Sequence, residues 1–233
     1  MRRLYVAPAQ LAPTVELDDE QRRYLAVLRL ATGDALEIFD GRGARFAARV
    51  SGPSTLALGE ALAPDPVRTL DVVLAQGLAK GDKLELVVQK ATELGVSRIV
   101  PLATERAVVK LAAARAGDRV ARWQRIAQEA ARQCGRAEVP EVTAPKSLAD
   151  LVEPDRVCLL LDPESTLRLS TPARGAARLL IAVGPEGGFT PEERASAIAA
   201  GMLAVSLGPL VLRTETAGLA ALAVVQHLHG QLG

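Results

Sequence analysis

The hydrophobic pattern of this chain changes its period near residue 68, and this change limits the possible folds more than any other feature. Before it, the stretch "ALEIFDGRGARFAARV" has apolar residues on each side of Asp40-Gly41, which is a strong hairpin signal. After it, continuous apolar runs alternate with helical patterns, as in a parallel sheet covered on both faces. Pro64 and Pro66 interrupt regular structure between the two parts. The sequence therefore predicts an all-β domain over 1–68 and an α/β domain over 69–233.

The α/β part has several readable helix signals. A helix in "GDKLELVVQKATELGV" carries an Asp82–Glu85 pair that predicts a capping box. Another is predicted from Thr190, with Glu193 three residues after this cap, and a last one over about 214–229. The predicted inward residues of a helix over 119–134 are Val120, Trp123, Ala127, Ala130 and Cys134. The predicted strands are "LDVVLAQGL", "SRIVPL", "VCLLLD", "RLLIAV" and "AVSLG".

Composition excludes several classes of protein. Hydrophobic residues make up 49% of the chain and charged residues 24%, so a packed core rather than disorder is expected. The two cysteines, Cys134 and Cys158, cannot form a disulfide framework, and neither has a second ligand at metal-binding spacing. The N-terminus lacks a signal-peptide apolar region, and the uncharged C-terminal stretch is interrupted by Gln226 and His227. We therefore expect a cytoplasmic protein without metal or membrane partners.

The charge is unevenly distributed although the net charge is only +1. Nine basic residues and three acidic residues lie between Arg98 and Arg136. This local excess predicts a surface that faces the phosphates of a nucleic acid. The alternative is a solvated helix face with ordinary charges.

Two similar loops follow neighbouring predicted strands: "VGPEGG" and "LGPLVLRTETAG". Ligands of α/β sheets bind beyond the carboxyl ends of the strands, where glycine lets the backbone approach closely. A phosphate ligand is disfavoured, because neither loop has a lysine or a phosphate-binding motif and Glu186 places a carboxylate there. A neutral or cationic ligand, such as an adenosine attached to a sulfonium, fits better. The alternative is a tight strand-to-helix connection without a ligand.

Four stretches become specific when taken together: "KGDKLELVVQKATELGVSRIVPLATERAVVK", "RWQRIAQEAARQCGRAEVPEV", "VGPEGGFTPEE" and "LGPLVLRTETAGLAAL". They resemble the RsmE family, the 16S rRNA uracil-N3 methyltransferases of the SPOUT class, and "VLRL" and "EIFDGRG" extend the resemblance to nearly the whole chain. The resemblance implies an N-terminal PUA-like β-barrel for RNA and an α/β domain of the SPOUT type with a parallel sheet and a deep trefoil knot. It also implies S-adenosylmethionine as methyl donor, 16S rRNA or the 30S subunit as substrate, and a homodimer.

The resemblance also assigns roles to individual residues. It implies that the cofactor pocket is formed by Leu161, Gly184, Pro185, Glu186, Gly187, Gly188, Leu207, Gly208, Leu210, Leu212, Thr216 and Ala217. Arg213 and Glu215 are the candidates near the target base, because a cation can stabilise an anionic uracil and a carboxylate can orient it or take its proton. The alternative for this pair is that the two residues bind each other or cap the last helix.

Six further residues are candidates for the RNA-facing surface: Arg23, Arg29, Glu105, Arg106, Arg132 and Arg136. Family members often have a histidine shortly before "VLR", whereas this chain has Arg23 in "RRYLAVLR", and an arginine can still contact an RNA phosphate. An exposed ion pair is the alternative for Glu105 and Arg106. Trp123 is interpreted as a core residue and Cys134 as a small packed residue rather than a nucleophile.

Three other functions compete with the leading hypothesis. A tRNA methyltransferase of the same class is a related alternative. A non-catalytic RNA-binding assembly factor would keep the fold but not the chemistry, and the intact glycine-proline loops speak against it. An enzyme acting on a nucleotide phosphate would bind ATP rather than S-adenosylmethionine.

Overall fold

The computed structural model describes residues 2–65, 69–107 and 113–233, and only the backbone of residues 113–115. Pro66 of the predicted linker, the predicted boundary at residue 68 and Lys110 of the basic segment lie outside the described residues. The chain divides into two compact units. The first comprises Met1–Val67 and Gln128–Val139, and the second comprises Arg68–Ala127 and Pro140–Gly233. A segment of the predicted α/β domain, residues 128–139, thus groups with the first unit.

The first unit is built on a five-stranded sheet. Its strands are β1 (Arg3–Tyr5), β2 (Thr14–Glu16), β3 (Ala35–Phe39), β4 (Arg45–Gly52) and β5 (Thr55–Ala61). Their order is β1-β3-β4-β5-β2, with β1 parallel to β3 and the other neighbours antiparallel. The predicted hairpin joins β3 to β4: the Asp40 carboxylate accepts from the N–H groups of Arg42 and Ala44, and Gly41 has a φ of +79°.

The first unit also contains a helix, α1 (Asp19–Val27), so the prediction of an all-β segment is wrong here. Asp18 caps this helix by accepting from the N–H of Gln21 at 2.8 Å, and the Gln21 side chain accepts from the N–H of Asp18 at 3.0 Å. This reciprocal pair satisfies two backbone donors at the helix start. Leu25 attaches the helix to the apolar core of the sheet.

Residues 128–139 complete the core of the first unit next to β3. Phe39 is fully buried and packs against Ala131 and Ala137, with Tyr5 and Val139 at the edge of the cluster. The N–H of Val139 donates to the carbonyl of Gly41 at 2.9 Å. Two segments that are far apart in sequence therefore build this core together.

The second unit contains a six-stranded sheet in which all strands are parallel, as predicted. Its strands are β6 (Asp71–Gly77), β7 (Arg98–Leu102), β8 (Glu141–Val142), β9 (Val157–Leu161), β10 (Arg178–Val183) and β11 (Leu203–Val205). Their order is β11-β9-β10-β6-β7-β8. β6, β9 and β10 are buried along most of their length, which explains their continuous apolar sequences.

The remaining helices are α2 (Lys83–Glu93), α3 (Ala113–Cys134), α4 (Ser170–Ala173), α5 (Pro191–Ala199) and α6 (Thr214–Leu228). The predicted capping box of α5 is present, since Thr190 and Glu193 exchange hydrogen bonds of 3.1 and 2.9 Å. The capping box predicted for α2 is wrong. Asp82 has φ −91° and ψ 11° and makes no side-chain cap, and Glu85 instead binds Arg122 at 2.8 Å.

The inward face predicted for α3 is correct in its middle and wrong at its end. Trp123, Ala127 and Ala130 are buried, whereas Val120 is half-buried. Cys134, expected to be packed, is exposed as the last residue of the helix. The helical period therefore holds only up to the final turn.

Candidate active site

A cavity of about 800 Å³ lies at the carboxyl ends of β9, β10 and β11, the edge at which α/β sheets bind ligands. The loops after these three strands form most of its wall. Eleven of the twelve residues predicted to bind the cofactor line it: Leu161, Gly184, Pro185, Glu186, Gly187, Gly188, Leu207, Gly208, Leu210, Leu212 and Ala217. Thr216 is not among the lining residues.

A buried chain of hydrogen bonds holds the loop after β10 against the start of α6. Gln76, near the end of β6, donates through Nε2 to Thr214 Oγ1 at 2.8 Å, and Thr214 Oγ1 donates to the carbonyl of Gly184 at 2.5 Å. Gln76 and Thr214 are both buried, so a break in this chain would leave polar groups without water or partners. Sequence reasoning missed both residues. The only local signals are a glutamine inside an apolar strand and a threonine at a helix start.

The loop after β10 also lies directly on the backbone of β6. A methyl group on Gly77 would be 2.4 Å from the N of Pro185 and 2.7 Å from the carbonyl carbon of Gly184. Any side chain at this position would therefore displace the loop. Glycine is required here for the close approach of two backbone segments.

Arg106 fixes the far side of the same loop. Its guanidinium donates to the carbonyl oxygens of Gly187 at 3.0 Å and of Phe189 at 3.3 Å. The neighbouring Glu105 contributes its backbone N–H, which donates to the Glu193 carboxylate at 2.9 Å. Arg106 thus lines the cavity and shapes the loop, whereas Glu105 is not among the lining residues. The alternative of an exposed Glu105–Arg106 ion pair has no counterpart among the described residues.

Lys83, which the sequence analysis did not single out, places a lysine beside the two loops, which themselves contain none. Its Nζ lies 2.9 Å from Glu186 Oε1 and 3.5 Å from Glu215 Oε2. Burial raises the pKa of the Glu186 carboxyl. Hydrogen bonds from Lys83 and from the backbone N–H groups of Glu186 and Lys80, together with the charge of Lys83, outweigh this effect, so the pKa lies below its ordinary value. The hydrogen bond to Glu186 raises the pKa of Lys83. Glu186 therefore lines the cavity as a carboxylate paired with Lys83.

Arg213 and Glu215 lie at the start of α6. Arg213 is the N-cap residue and lines the cavity, but its side chain makes no capping hydrogen bond. The side chain of Glu215 is 16% exposed and faces Lys83. Among the described residues Arg213 and Glu215 form no ion pair with each other, so the alternative of mutual pairing does not describe this site.

Asp162 and Arg194 form a second charged pair in the cavity wall that sequence reasoning missed. Arg194 donates through Nε to Asp162 Oδ2 at 2.5 Å, and Asp162 Oδ1 accepts from the N–H of Glu164 at 2.9 Å. Asp162 directly follows β9, so its position after an apolar strand was a readable signal. This pair fixes the loop after β9.

The residues proposed for RNA lie in different settings. Arg23 and Arg29 are exposed, and Arg29 has a φ of +54°, the only positive value among the described non-glycine residues. The guanidinium of Arg132 lies 3.7 Å from the ring centre of Tyr24, within the first unit. Arg136, a candidate for the RNA-facing surface, is only 7% exposed. It follows Gly135, whose φ of +91° ends the helical course of the chain, so the helical period does not apply to it.

Two further observations concern the described residues only. They contain no group of three or more histidine, cysteine, aspartate or glutamate side chains that could hold a metal ion. None of the helices formed by them is both long and apolar enough to cross a membrane.

Comparison with known proteins gives consistent matches. A family model described as an RNA methyltransferase domain matches residues 66–226, and one described as an RNA methyltransferase PUA domain matches residues 17–57. Ribosomal RNA small subunit methyltransferase E of Synechocystis is 38% identical over 97% of this chain and 77% of its own length. The protein of the same name from Buchnera aphidicola is 30% identical over 92% of this chain and 88% of its own.

Among solved structures, ribosomal RNA small subunit methyltransferase E from Neisseria gonorrhoeae bound to S-adenosyl methionine aligns with a TM-score of 0.88. It is 34% identical, and the alignment covers 98% of each chain. The similarity therefore extends over both units.

Proposed function

The chain belongs to the ribosomal RNA small subunit methyltransferase E family and has its SPOUT-type α/β domain and PUA domain, and from this premise we propose that it methylates N3 of one uracil in 16S rRNA with S-adenosylmethionine as donor. The observation that carries the proposal is the cavity between the glycine-proline loops, which contains eleven of the twelve residues expected to bind the donor. The family assignment gives the general activity. The uracil and its N3 atom are the more specific part of the proposal.

The residues of the cavity fit S-adenosylmethionine. A volume of about 800 Å³ lies within the usual range for pockets that hold ligands of this size, roughly 300–1,000 Å³. Nine of the eleven predicted cofactor-binding residues in the wall are glycine, proline or leucine, so the backbone would contact adenine and ribose. The paired Glu186 would not repel a neutral adenosine. The bound donor supplies the electrophilic methyl group, and the protein supplies orientation and electrostatics.

Arg213 and Glu215 are the residues that we assign to the target base. As the proton leaves N3, negative charge develops on the uracil ring, and the permanent cation of Arg213 would stabilise it. The Glu215 carboxylate would orient the N–H and accept its proton. Arg213 lines the cavity and Glu215 lies in the first turn of α6, which supports this division of roles.

We assign RNA binding mainly to the first unit. Arg23, Arg29 and Arg132 would contact RNA phosphates. We remove Arg136 from this surface because of its burial, and give Arg106 and Glu105 the task of shaping the cavity loop next to the RNA. The pairing edge of uracil carries N3, so the base must be unpaired to react.

We also propose a homodimer and a cytoplasmic location. Leu210 and Val211, in the loop after β11, are 75% and 81% exposed, and a second copy of the chain would cover such apolar side chains. Analytical ultracentrifugation of the protein at micromolar concentration tests the homodimer, and a monomer at all concentrations would contradict it.

Two measurements test the function. Calorimetry should detect binding of S-adenosylhomocysteine but not of ATP, and the absence of both would favour a non-catalytic RNA-binding factor. Methyl transfer should then be measured on 30S subunits, free 16S rRNA and tRNA, with the modified nucleoside mapped by mass spectrometry. A product in tRNA alone would replace this proposal by the tRNA alternative.

Arg213→Ala separates catalysis from binding. We expect a loss of methyl transfer of about a hundredfold, the order seen when one charge-stabilising donor is removed, with less than threefold change in S-adenosylhomocysteine affinity. Arg174→Ala, an exposed arginine that follows α4 and does not line the cavity, is the matched control and should leave both unchanged. An equal loss of transfer and affinity in Arg213→Ala would make Arg213 a structural part of the pocket.

A further inference from the structure

One ammonium group joins three elements of the candidate active site. Lys83 is the first residue of α2, Glu186 lies in the loop between β10 and α5, and Glu215 lies in the first turn of α6. The Nζ of Lys83 is within 3.5 Å of both carboxylates. The Lys83 side chain is 32% exposed and lines the cavity.

The two contacts of Lys83 are unequal. Glu186 Oε1 is hydrogen-bonded to Nζ at 2.9 Å and also accepts from the backbone N–H of Lys80 at 3.3 Å. Glu215 Oε2 is 3.5 Å from Nζ, which is beyond the usual length of a charge-assisted hydrogen bond, so the contact is electrostatic. Within the described residues Glu215 Oε2 is buried without a hydrogen-bond partner. Unsatisfied buried acceptors are rare in proteins and often belong to functional sites.

We propose that Lys83 is a positioning residue for methyl transfer: Glu186 anchors its ammonium, so that Lys83 orients Glu215 by charge and leaves Glu215 Oε2 to accept the N–H of the target pyrimidine. This inference rests on the proposed function and adds a residue to it. Lys83 touches neither the base nor the donor in this role. It acts through Glu186 and Glu215, the two carboxylates between which its ammonium lies.

Charge and atoms balance in the methyl transfer for which Glu215 would accept the proton. The proton of the pyrimidine N–H moves to Glu215 Oε2, the nitrogen forms a bond to the methyl carbon, and the bond from that carbon to sulfur breaks. The bonding pair stays on sulfur, which changes from a sulfonium to a neutral thioether. The positive charge of the donor and the negative charge of Glu215 disappear together, so no further reactant is needed.

The same arrangement predicts how the site distinguishes the charged donor from its neutral product. Lys83→Gln removes a positive charge and leaves two carboxylates near the cavity. The affinity for the cationic S-adenosylmethionine should then rise relative to neutral S-adenosylhomocysteine, about twofold to tenfold for a unit charge several ångströms away. Glu186→Gln should shift this ratio in the opposite direction, because Lys83 loses its anchor and turns toward Glu215.

The test compares these variants with the wild-type protein by calorimetry with both ligands and by methyl transfer to small-subunit RNA. Both Lys83→Gln and Glu186→Gln should lower the turnover number by roughly tenfold to a hundredfold, as expected for a misplaced reacting group. Lys83→Arg should restore a large part of it. Lys90→Gln is the matched control, since Lys90 lies on the same helix, is paired with Glu93 at 2.8 Å and does not line the cavity.

The outcomes separate the inference from the function. A wild-type protein that neither binds the donor nor methylates RNA would overturn the proposed function. If the wild-type protein is active, unchanged turnover in Lys83→Gln would overturn the role of Lys83. So would a loss of turnover with an unchanged affinity ratio in both variants, since that result indicates a purely structural tie. If Lys83→Gln does not fold, Glu186→Gln still tests the role of Lys83. In that variant the affinity for S-adenosylmethionine should fall relative to that for S-adenosylhomocysteine, and an unchanged ratio would overturn the role.

Discussion

Replacing Gly77 by alanine tests whether the cavity depends on the contact between β6 and the loop after β10. The added methyl group would be 2.4 Å from the N of Pro185 and 2.9 Å from its Cδ. Ordinary contacts of this kind are at least about 3.4 Å, so the loop would have to retreat by about 1 Å. Both neighbours belong to a proline-containing backbone, which cannot move aside by rotating a side chain.

The expected cost follows from this displacement. Overpacking of a close-packed interior costs about 1–3 kcal/mol, of which alanine regains about 0.5–1 kcal/mol because glycine weakens a strand. We therefore expect a free energy of unfolding lower by about 0.5–2 kcal/mol. Because the displaced loop lines the cavity, the affinity for S-adenosylhomocysteine should fall by about tenfold, which corresponds to about 1.4 kcal/mol.

Urea denaturation and calorimetry measure the two quantities. Gly117→Ala is the control, because Gly117 lies in α3 with no atom within 4 Å of an added methyl group, and alanine favours a helix by about 1 kcal/mol. The control should keep its affinity and become no less stable. If Gly77→Ala kept wild-type affinity despite lower stability, the cavity would not be the donor site. If Gly77→Ala kept both the affinity and the stability of the wild-type protein, the close approach of β6 and the loop would not require a glycine.

Three further predictions follow from other contacts. Thr214→Val removes the hydroxyl bonded to Gly184 and to a buried amide, and should lower the free energy of unfolding in urea by about 1–3 kcal/mol, while Thr214→Ser should not; equal stability of the two variants would contradict the role of the hydroxyl. Burial raises the pKa of the Asp71 carboxyl, but the hydrogen bond from Arg156 outweighs it and holds that pKa below its ordinary 3.8, so this stabilisation is present above pH 3.8 and is lost as the pH falls through the folded value. Arg156→Met should therefore be less stable at pH 7 and lose less further stability on acidification, and an unchanged acid transition would refute this. Arg132→Ala should lower the slope of log affinity for RNA against log salt by about one, and the same slope as wild type would place Arg132 outside the RNA surface.

The parallel sheet could be predicted because β6, β9 and β10 are buried along most of their length and therefore largely apolar. The helix α1 could not be recognised from periodicity, since only Gln21 and Leu25 of its residues are buried. Its capping residues, Asp18 and Gln21, were nevertheless a readable signal. The failed capping box of α2 shows the opposite case, in which the residue types are right but the backbone of Asp82 is not extended. The knot is implied by the resemblance alone, and general rules of chain topology argue against it.

The loops of the candidate site could be predicted because glycine, proline and a strand end are local signals. The side chains that hold these loops could not, because they come from distant parts of the chain. Lys83 and Glu186 are 103 residues apart, and Gln76 and Thr214 are 138 residues apart. No local pattern connects such pairs. The burial of Arg136 could not be predicted for a different reason, because Arg136 lies beyond the end of α3, where the helical period no longer applies.

The first unit is formed by two separate segments of the chain, and this limits where the protein can be divided into fragments. A fragment that ended at Pro64 would lack Ala131, Ala137 and Val139. The aromatic ring of Phe39 would then face water. Such a fragment should aggregate or remain loosely packed. A gene fusion that transfers this unit to another enzyme would therefore need residues 128–139 as well.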